Sequence, residues 1–314
     1  MKKGKASAIV GFLIITFLIA SRLLLDERYV DGTVIGWDKL SKGFSWFEEL
    51  FDKSNSSVSM EGVNGSFHFL DVGQGDSTYI KIGNWDILVD AGPKSEKEKL
   101  LEQLRTFNID DFELVIATHP HEDHIGGFVD IFNNYDIEAF YMPKVNHNTK
   151  TFEDLIMAVR NEGLQINTIK EGLKLNLGPN GTLTAYSPIG DSTNLNNYSP
   201  ILKFTIGDIN AILTGDSEKE VEKEVALKYT SDLKADIYKF GHHGSKTSSS
   251  KDLLDFVNPT YGVISCGVDN KYGHPDKEVL KEAKKRGVEV YRTDIDGMVS
   301  FEIQGNTIRE IKTN

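Results

Sequence analysis

Cysteine is nearly absent: Cys266 is the single thiol in 314 residues. One thiol closes no internal disulfide and builds no cysteine-based zinc knuckle. It lies in the apolar run 261–266, where a small buried hydrophobe is expected rather than a nucleophile. Basic side chains are outnumbered, 35 Lys and Arg against 47 Asp and Glu, for a formal net charge of -12. That balance argues against a strongly basic nucleic-acid groove as the dominant surface. It leaves room for a local basic patch, because steering depends on where charge sits. No internal repeat and no long low-complexity tract interrupts the chain, so residues 63–314 are expected to form one domain.

Long apolar runs are missing too, with one exception. Lys2, Lys3 and Lys5 precede residues 6–25, whose polar interruptions are Ser7, Thr16, Ser21 and Arg22. As a helix this segment is just long enough for a hydrocarbon core of about 30 Å. Its positive flank places the N-terminus in the cytoplasm and the remainder outside. A cleaved signal peptide and an uncleaved signal anchor both fit such a pattern. The lack of a clean Ala-x-Ala site favours a transmembrane anchor over residues 1–25, and no cysteine follows to carry a lipid. The expected location is the cell membrane, single-pass with an extracytoplasmic catalytic domain, or outside the cell if the segment is cleaved. Residues 26–62, with Asp26, Glu27, Glu48, Glu49 and a Ser/Asn tract at 54–57, are expected to be a stalk; Trp37, Phe44, Trp46 and Phe47 allow a short amphipathic piece within it.

Beyond Gly65 short strands and helices alternate. Strands are expected at 67–72, 77–82, 85–90, 114–117, 182–187, 201–206, 209–213, 237–240, 261–265 and 298–303. Helices are expected at 94–107, 128–133, 151–162, 217–229, 251–257 and 276–286. Strands first and helices interspersed later suggest two packed sheets with helices outside, an α/β fold.

The chemistry is concentrated in residues 118–124, Thr-His-Pro-His-Glu-Asp-His. Pro120 blocks regular helix pairing and Gly126 and Gly127 follow, so a loop is expected at the end of the strand 114–117. Imidazoles and carboxylates together suit zinc and similar borderline metals. The spacing lets His119 and His121 hold one ion while Asp123 and His124 face a second. Asp216 ends the apolar strand 209–213, where it can bridge two metals or cap the next helix. His242 and His243 end another strand; one is expected as a ligand and the other as a neighbour of substrate or ligand. His274 sits in a third such loop, Tyr-Gly-His-Pro at 272–275.

His119-x-His121-x-Asp123-His124, Leu88-Val89-Asp90-Ala91-Gly92 and Thr214-Gly215-Asp216 together resemble the signature of metallo-β-lactamase-fold hydrolases. The segments 69–76, 241–248, 270–275 and 292–297 are similar to the hydrolase domain of the competence protein ComEC, a resemblance running from about residue 66 to 304. It implies a four-layer αβ/βα sandwich with the site at one edge between the sheets. It also implies two divalent ions, zinc or manganese. His119, His121 and Asp216 would hold one; Asp123, His124, Asp216 and either His242 or His243 would hold the other, with His242 preferred. The wider fold supplies a further His to the first ion from a loop where this chain has Asn196, Asn197, Tyr198 and Ser199. That ion is therefore expected to be held more weakly, unless His147 substitutes. The multi-span channel of ComEC has no counterpart in this sequence, so DNA translocation does not carry over.

A two-metal centre of this kind points to phosphodiester hydrolysis, on DNA or a phosphate-bearing wall polymer. Asp123 would orient the nucleophile, and His243 and His274 would contact phosphate or protonate the leaving group. Asn196, Asn197, Ser199, Ser245, Lys246 and Thr247 are the expected substrate contacts. Hydrolysis of a carboxylic substrate such as a lactam, lactone or thioester, and a non-catalytic binding role with a degenerate site, are the alternatives.

Overall fold

The computed structural model describes residues 64–188, 190 and 192–313. The expected anchor and stalk lie outside the described residues. Among those described, no helix is long and apolar enough to cross a membrane.

Two large sheets dominate. The first takes β1 (Asn64–Phe69), β2 (Thr78–Ile82), β3 (Trp85–Val89), β5 (Leu114–Ile116), β7 (Phe140–Pro143), β8 (Ile166–Ile169), β16 (Val299–Gln304) and β17 (Thr307–Thr313), in the order β17-β16-β1-β2-β3-β5-β7-β8. The second runs β15-β14-β13-β12-β11-β10-β9, built from β9 (Lys174–Asn176), β10 (Gly181–Ala185), β11 (Leu202–Ile206), β12 (Ile209–Leu213), β13 (Ile237–Lys239), β14 (Tyr261–Ile264) and β15 (Glu289–Arg292). β4 (Asp111–Phe112) and β6 (Asp136–Ile137) form a small separate pair.

Strand alternation explains why the sheets stack. Successive side chains point to opposite faces. Ile87, Val89, Leu114 and Ile116 therefore enter the core between the sheets, with Phe67, Phe204, Leu213 and Val263. Leu88 and Val115 point outward and meet α1 (Lys97–Leu104), α2 (Glu122–Ile125), α3 (Phe128–Phe132) and α4 (Lys150–Asn161). A third cluster joins Ile212, Tyr238 and Ile264 to α5 (Lys219–Tyr229), α6 (Lys251–Val257) and α7 (Lys277–Lys285). A last turn, α8, spans Thr293–Asp296. The result is the expected four-layer αβ/βα sandwich. Strands buried on both faces read as continuous apolar runs, which is why β3 and β5 stand out in the sequence.

Two local expectations are corrected. Residues 122–125 are helical rather than loop: His121 occupies the N-terminal boundary, and the amides of Ile125 and Gly126 donate to the carbonyls of His121 and Glu122. Pro120 therefore only fixes where that turn begins. The strand expected at 67–72 stops at Phe69, because Asp71 Oδ1 accepts from the Gly73 amide and closes a turn.

Candidate metal centre

Three chain segments meet where strands of both sheets end. β5 leads into His119, His121, Asp123 and His124. β12 leads through Gly215 to Asp216. β13 leads through Gly241 to His242 and His243, which adopt consecutive left-handed conformations at φ 51° and 54°. Such backbone costs of order 1–3 kcal/mol per residue and persists only where its surroundings dictate it. Gly75 lets the loop after β1 lie against this cluster, since a side chain there would overlap the carbonyl oxygen of Asp123.

Two groups share one carboxylate. In the first, one ligand atom each from His119, His121 and Asp216 lies within 4.8 Å of the others; in the second, Asp123, His124, Asp216 and His243 do so. His119 Nε2 is 3.0 Å from His121 Nδ1 and 3.7 Å from Asp216 Oδ2. His124 Nε2 is 3.2 Å from Asp216 Oδ1, and His243 Nε2 is 3.2 Å from Asp123 Oδ2. His124 Nε2, His243 Nε2 and Asp216 Oδ1 are buried with no hydrogen-bond partner. Buried polar atoms are almost always paired, so three converging orphans fit a pair of cations. The donors are imidazole and carboxylate only, a set suited to zinc or manganese.

The electrostatics agree. Burial opposes charge on His124, but Asp216 and Asp90 outweigh it and hold its pKa well above the ordinary value. His243 is raised in the same way, burial being overcome by Asp216 and Asp76. Asp216 is held well below the carboxylate range, because the imidazoles of His124 and His243 overcome its own burial. His119 is pushed well below its ordinary value by burial and by His124. The carboxylates thus demand positive charge, which protons or divalent ions can supply, and ion binding releases protons.

Outer hydrogen bonds aim the ligands. Asp90, at φ 59°, accepts from the Thr118 amide at 2.8 Å and the Thr118 hydroxyl at 2.7 Å, and lies 2.7 Å from His124 Nδ1. His124 therefore donates from Nδ1 and presents Nε2 inward. His243 Nδ1 donates likewise to the Ser265 carbonyl at 3.1 Å. The second group thus contains His243 and not the expected His242. His242 is 24% exposed, and its Nδ1 lies 3.0 Å from Thr247 Oγ1. It stands outside both groups, with Nε2 3.6 Å from Asp216 Oδ2. His243 in turn is buried, a member of the second group that also lines the cavity described next.

A cavity of about 610 Å³ opens over the centre. Asp123, His274, Asn196 and His147 line it, together with Gln74, Lys271 and Tyr272. His147 has its ring 6.1 Å from that of His121 but belongs to neither group. Several expected contacts face elsewhere. Ser199 is buried and accepts from the Asp216 amide at 3.0 Å, which fixes the turn that carries Asp216. Asn197 accepts from the Glu218 amide at 3.0 Å and is also buried. Ser245 and Thr247 bond each other at 3.1 Å, and Lys246 lines a different cavity. Ser199, Asn197 and Ser245 share a pattern: polar side chains beside strand-end turns satisfy nearby backbone amides first.

Two groups went unread in the sequence. Lys239 is 2% exposed and pairs with buried Asp76, whose other oxygen lies 3.6 Å from His243 Nδ1. The available signal was a lysine inside the otherwise apolar stretch 237–240. Gln74 braces the rim by accepting from the Gly267 amide at 3.1 Å.

Residues 70–268 match the family described as Metallo-beta-lactamase superfamily. The chain is 30% identical over 255 residues to ComE operon protein 3 of Bacillus subtilis (strain 168), covering 76% of this chain and 33% of that protein. It is 26% identical over 234 residues to Competence protein ComA of Neisseria gonorrhoeae, covering 74% and 31%. It thus spans about a third of the length of these curated relatives. Among solved structures, the metallo-beta-lactamase fold protein YhfI from Bacillus subtilis matches with a TM-score of 0.53 at 14% identity, over 76% of this chain and 100% of that one, a likeness of fold alone. The family match covers both ligand groups and the strands from β2 to β14, and the chain belongs to the metallo-beta-lactamase superfamily of metal-dependent hydrolases.

Proposed function

We propose that this domain hydrolyses phosphodiester bonds with two divalent ions, zinc or manganese. His119, His121 and Asp216 would hold one; Asp123, His124, Asp216 and His243 would hold the other. The observation that carries the reading is the Asp216 carboxylate, common to two ligand groups and flanked by orphaned buried donors. Two ions there would supply positive charge to acidify a water and to steady both the attacking and the leaving oxygens of a phosphoryl group. A phosphodiester uses both effects.

The remaining work falls to side chains. Asp123, 34% exposed towards the cavity, is placed to orient the attacking water. His274 stands on the cavity wall with its ring 5.9 Å from that of His242 and 6.4 Å from that of His243. Burial and then these two imidazoles hold its pKa below the ordinary value. An anionic phosphate in the cavity opposes that shift and favours the protonated ring that donates to a leaving oxygen. Asn196 and Lys271 flank the same space.

The finer reading is a ComEC-type hydrolase held at the outer face of a membrane by residues 1–25. It is supported by the names of two curated relatives, ComE operon protein 3 and Competence protein ComA, by the motifs at 69–76, 241–248, 270–275 and 292–297, and by the basic flank of the apolar N-terminal run. The substrate is then DNA or a wall polymer. The purified protein should be assayed on bis-p-nitrophenyl phosphate, nitrocefin and DNA with zinc or manganese added. Turnover of the diester is expected; turnover of nitrocefin alone would replace this reading with carboxylic-ester or lactam chemistry.

A further inference from the structure

A second cavity, of about 490 Å³, has a different chemistry. Lys219, Lys246, Lys251, Lys281 and Lys285 converge on it from α5, the turn after His243, α6 and α7. In a chain of net charge -12 this is a concentration of one sign. Glu278 and Glu282 offset it only in part, and among the described residues only Lys251 of the five approaches a carboxylate, Glu282 Oε2 at 3.9 Å. Unpaired like charges held together raise the local potential and attract a counter-charge. No aromatic side chain lines the space.

Two segments join this cavity to the metal centre, and they run in the same order. In one, His242 and His243 face the metal cavity, while Lys246, Ser248 and Lys251 face the lysines. In the other, Tyr272 and His274 face the metal cavity, while Lys281 and Lys285 face the lysines. The two cavities are therefore lined by successive stretches of the same two segments.

We infer that the lysine cavity is an exosite for the backbone of a phosphodiester polymer, gripping its phosphates by charge on one side of the bond that is cut. The inference rests on the phosphodiesterase reading above. Lysines act on phosphate as mobile point charges and suit a backbone of variable geometry. Without an aromatic platform there is no base stacking, so binding depends on phosphates and not on what they carry.

The test uses the metal-loaded full chain at low temperature, with ligand integrity checked afterwards. Anisotropy titrations follow labelled oligothymidylate and poly(glycerol phosphate) of matched phosphate number over a range of salt. Lys281→Glu with Lys285→Glu should weaken both ligands about tenfold at low salt and flatten the salt slope by about 1.4, two phosphate contacts at about 0.7 each. Lys277→Glu with Lys284→Glu makes the same charge change on α7 outside the cavity and should leave the slope intact. Metal content should be unchanged in both. Equal losses in the two double variants, or none in either, overturn the exosite. A loss confined to oligothymidylate overturns it too, because bases are then being read. Wild-type hydrolysis of bis-p-nitrophenyl phosphate judges the parent reading separately. Hydrolysis without a cavity effect sinks the exosite alone, and a cavity effect without hydrolysis sinks the phosphodiesterase and leaves the lysines as a phosphate-binding site with no bond to cut.

Discussion

His242 and His243 carry the same imidazole, and backbone conformation and hydrogen bonding set them apart. Consecutive left-handed residues turn one ring outward and bury the other against Asp123 and Asp216. His243→Ala should therefore lose close to one equivalent of metal, while His242→Ala keeps both; elemental analysis after gel filtration decides it, and the reverse pattern restores His242 as the ligand. Asp216→Ala should release both ions and lower the melting temperature, since bound metal stabilises the native state by mass action. Retention of one tight ion in that variant would show that the carboxylate is not shared. Types and spacing of the ligands were legible because His-x-His-x-Asp-His has few other uses. The choice within the His242–His243 pair was not, because φ angles leave no trace in two identical letters. Ser199 presents a related ambiguity: a hydroxyl that bonds an amide in a turn looks, in sequence, like one that meets substrate.

Elements bring their own buried charges. Glu222 on α5 accepts from the amides of Ser249 at 2.8 Å and Ser250 at 2.6 Å, tying that helix to the segment behind His243. Burial raises its pKa from 4.5 to about 7, the amides opposing. The folded state thus holds this proton more tightly than the unfolded chain. Its contribution is fully present below about 4.5 and is lost as pH rises to about 7, a change of about 3 kcal/mol. Glu222→Gln cannot ionise, so its stability relative to wild type should improve by that amount between pH 4.5 and pH 8 in urea titrations; parallel profiles would place the titration elsewhere. Lys239 on β13 neutralises buried Asp76. Lys239→Met should cost about 3–5 kcal/mol by leaving that carboxylate unpaired, and restoration by the second change Asp76→Asn would identify the pair as the cause. Strands such as β3 and β12 were legible from their apolar runs. β17 was not: Ile308 and Ile311 are three apart yet both pack on the core, because the register shifts between Glu302 and Ile303. A bulge breaks the period of two on which strand reading depends.

At the scale of the molecule, strand and helix order announced two sheets with outer helices, and the resemblance of the motifs supplied the stacking. Short or exposed strands, β7, β8, β9 and β15, escaped, since three or four residues carry too little pattern. The topology proposed for the N-terminus has a direct check: protease treatment of intact cells should remove the domain, whereas protection until lysis would put it inside. The ligands themselves belong to both halves of the sandwich. Those from 119–124 follow β5 of one sheet; Asp216 and His243 follow β12 and β13 of the other. Ions held there would act as removable rivets through the seam, and the stiffness of this edge would follow metal supply. Chelation should speed amide exchange together at 117–124, 213–217 and 240–244, the three segments that carry the ligand groups, while Phe67 in the middle of β1 stays protected. A domain that passes its metal-free life with one edge ajar would meet proteases as a different target from its loaded form, and its lifetime would follow the local concentration of the ion.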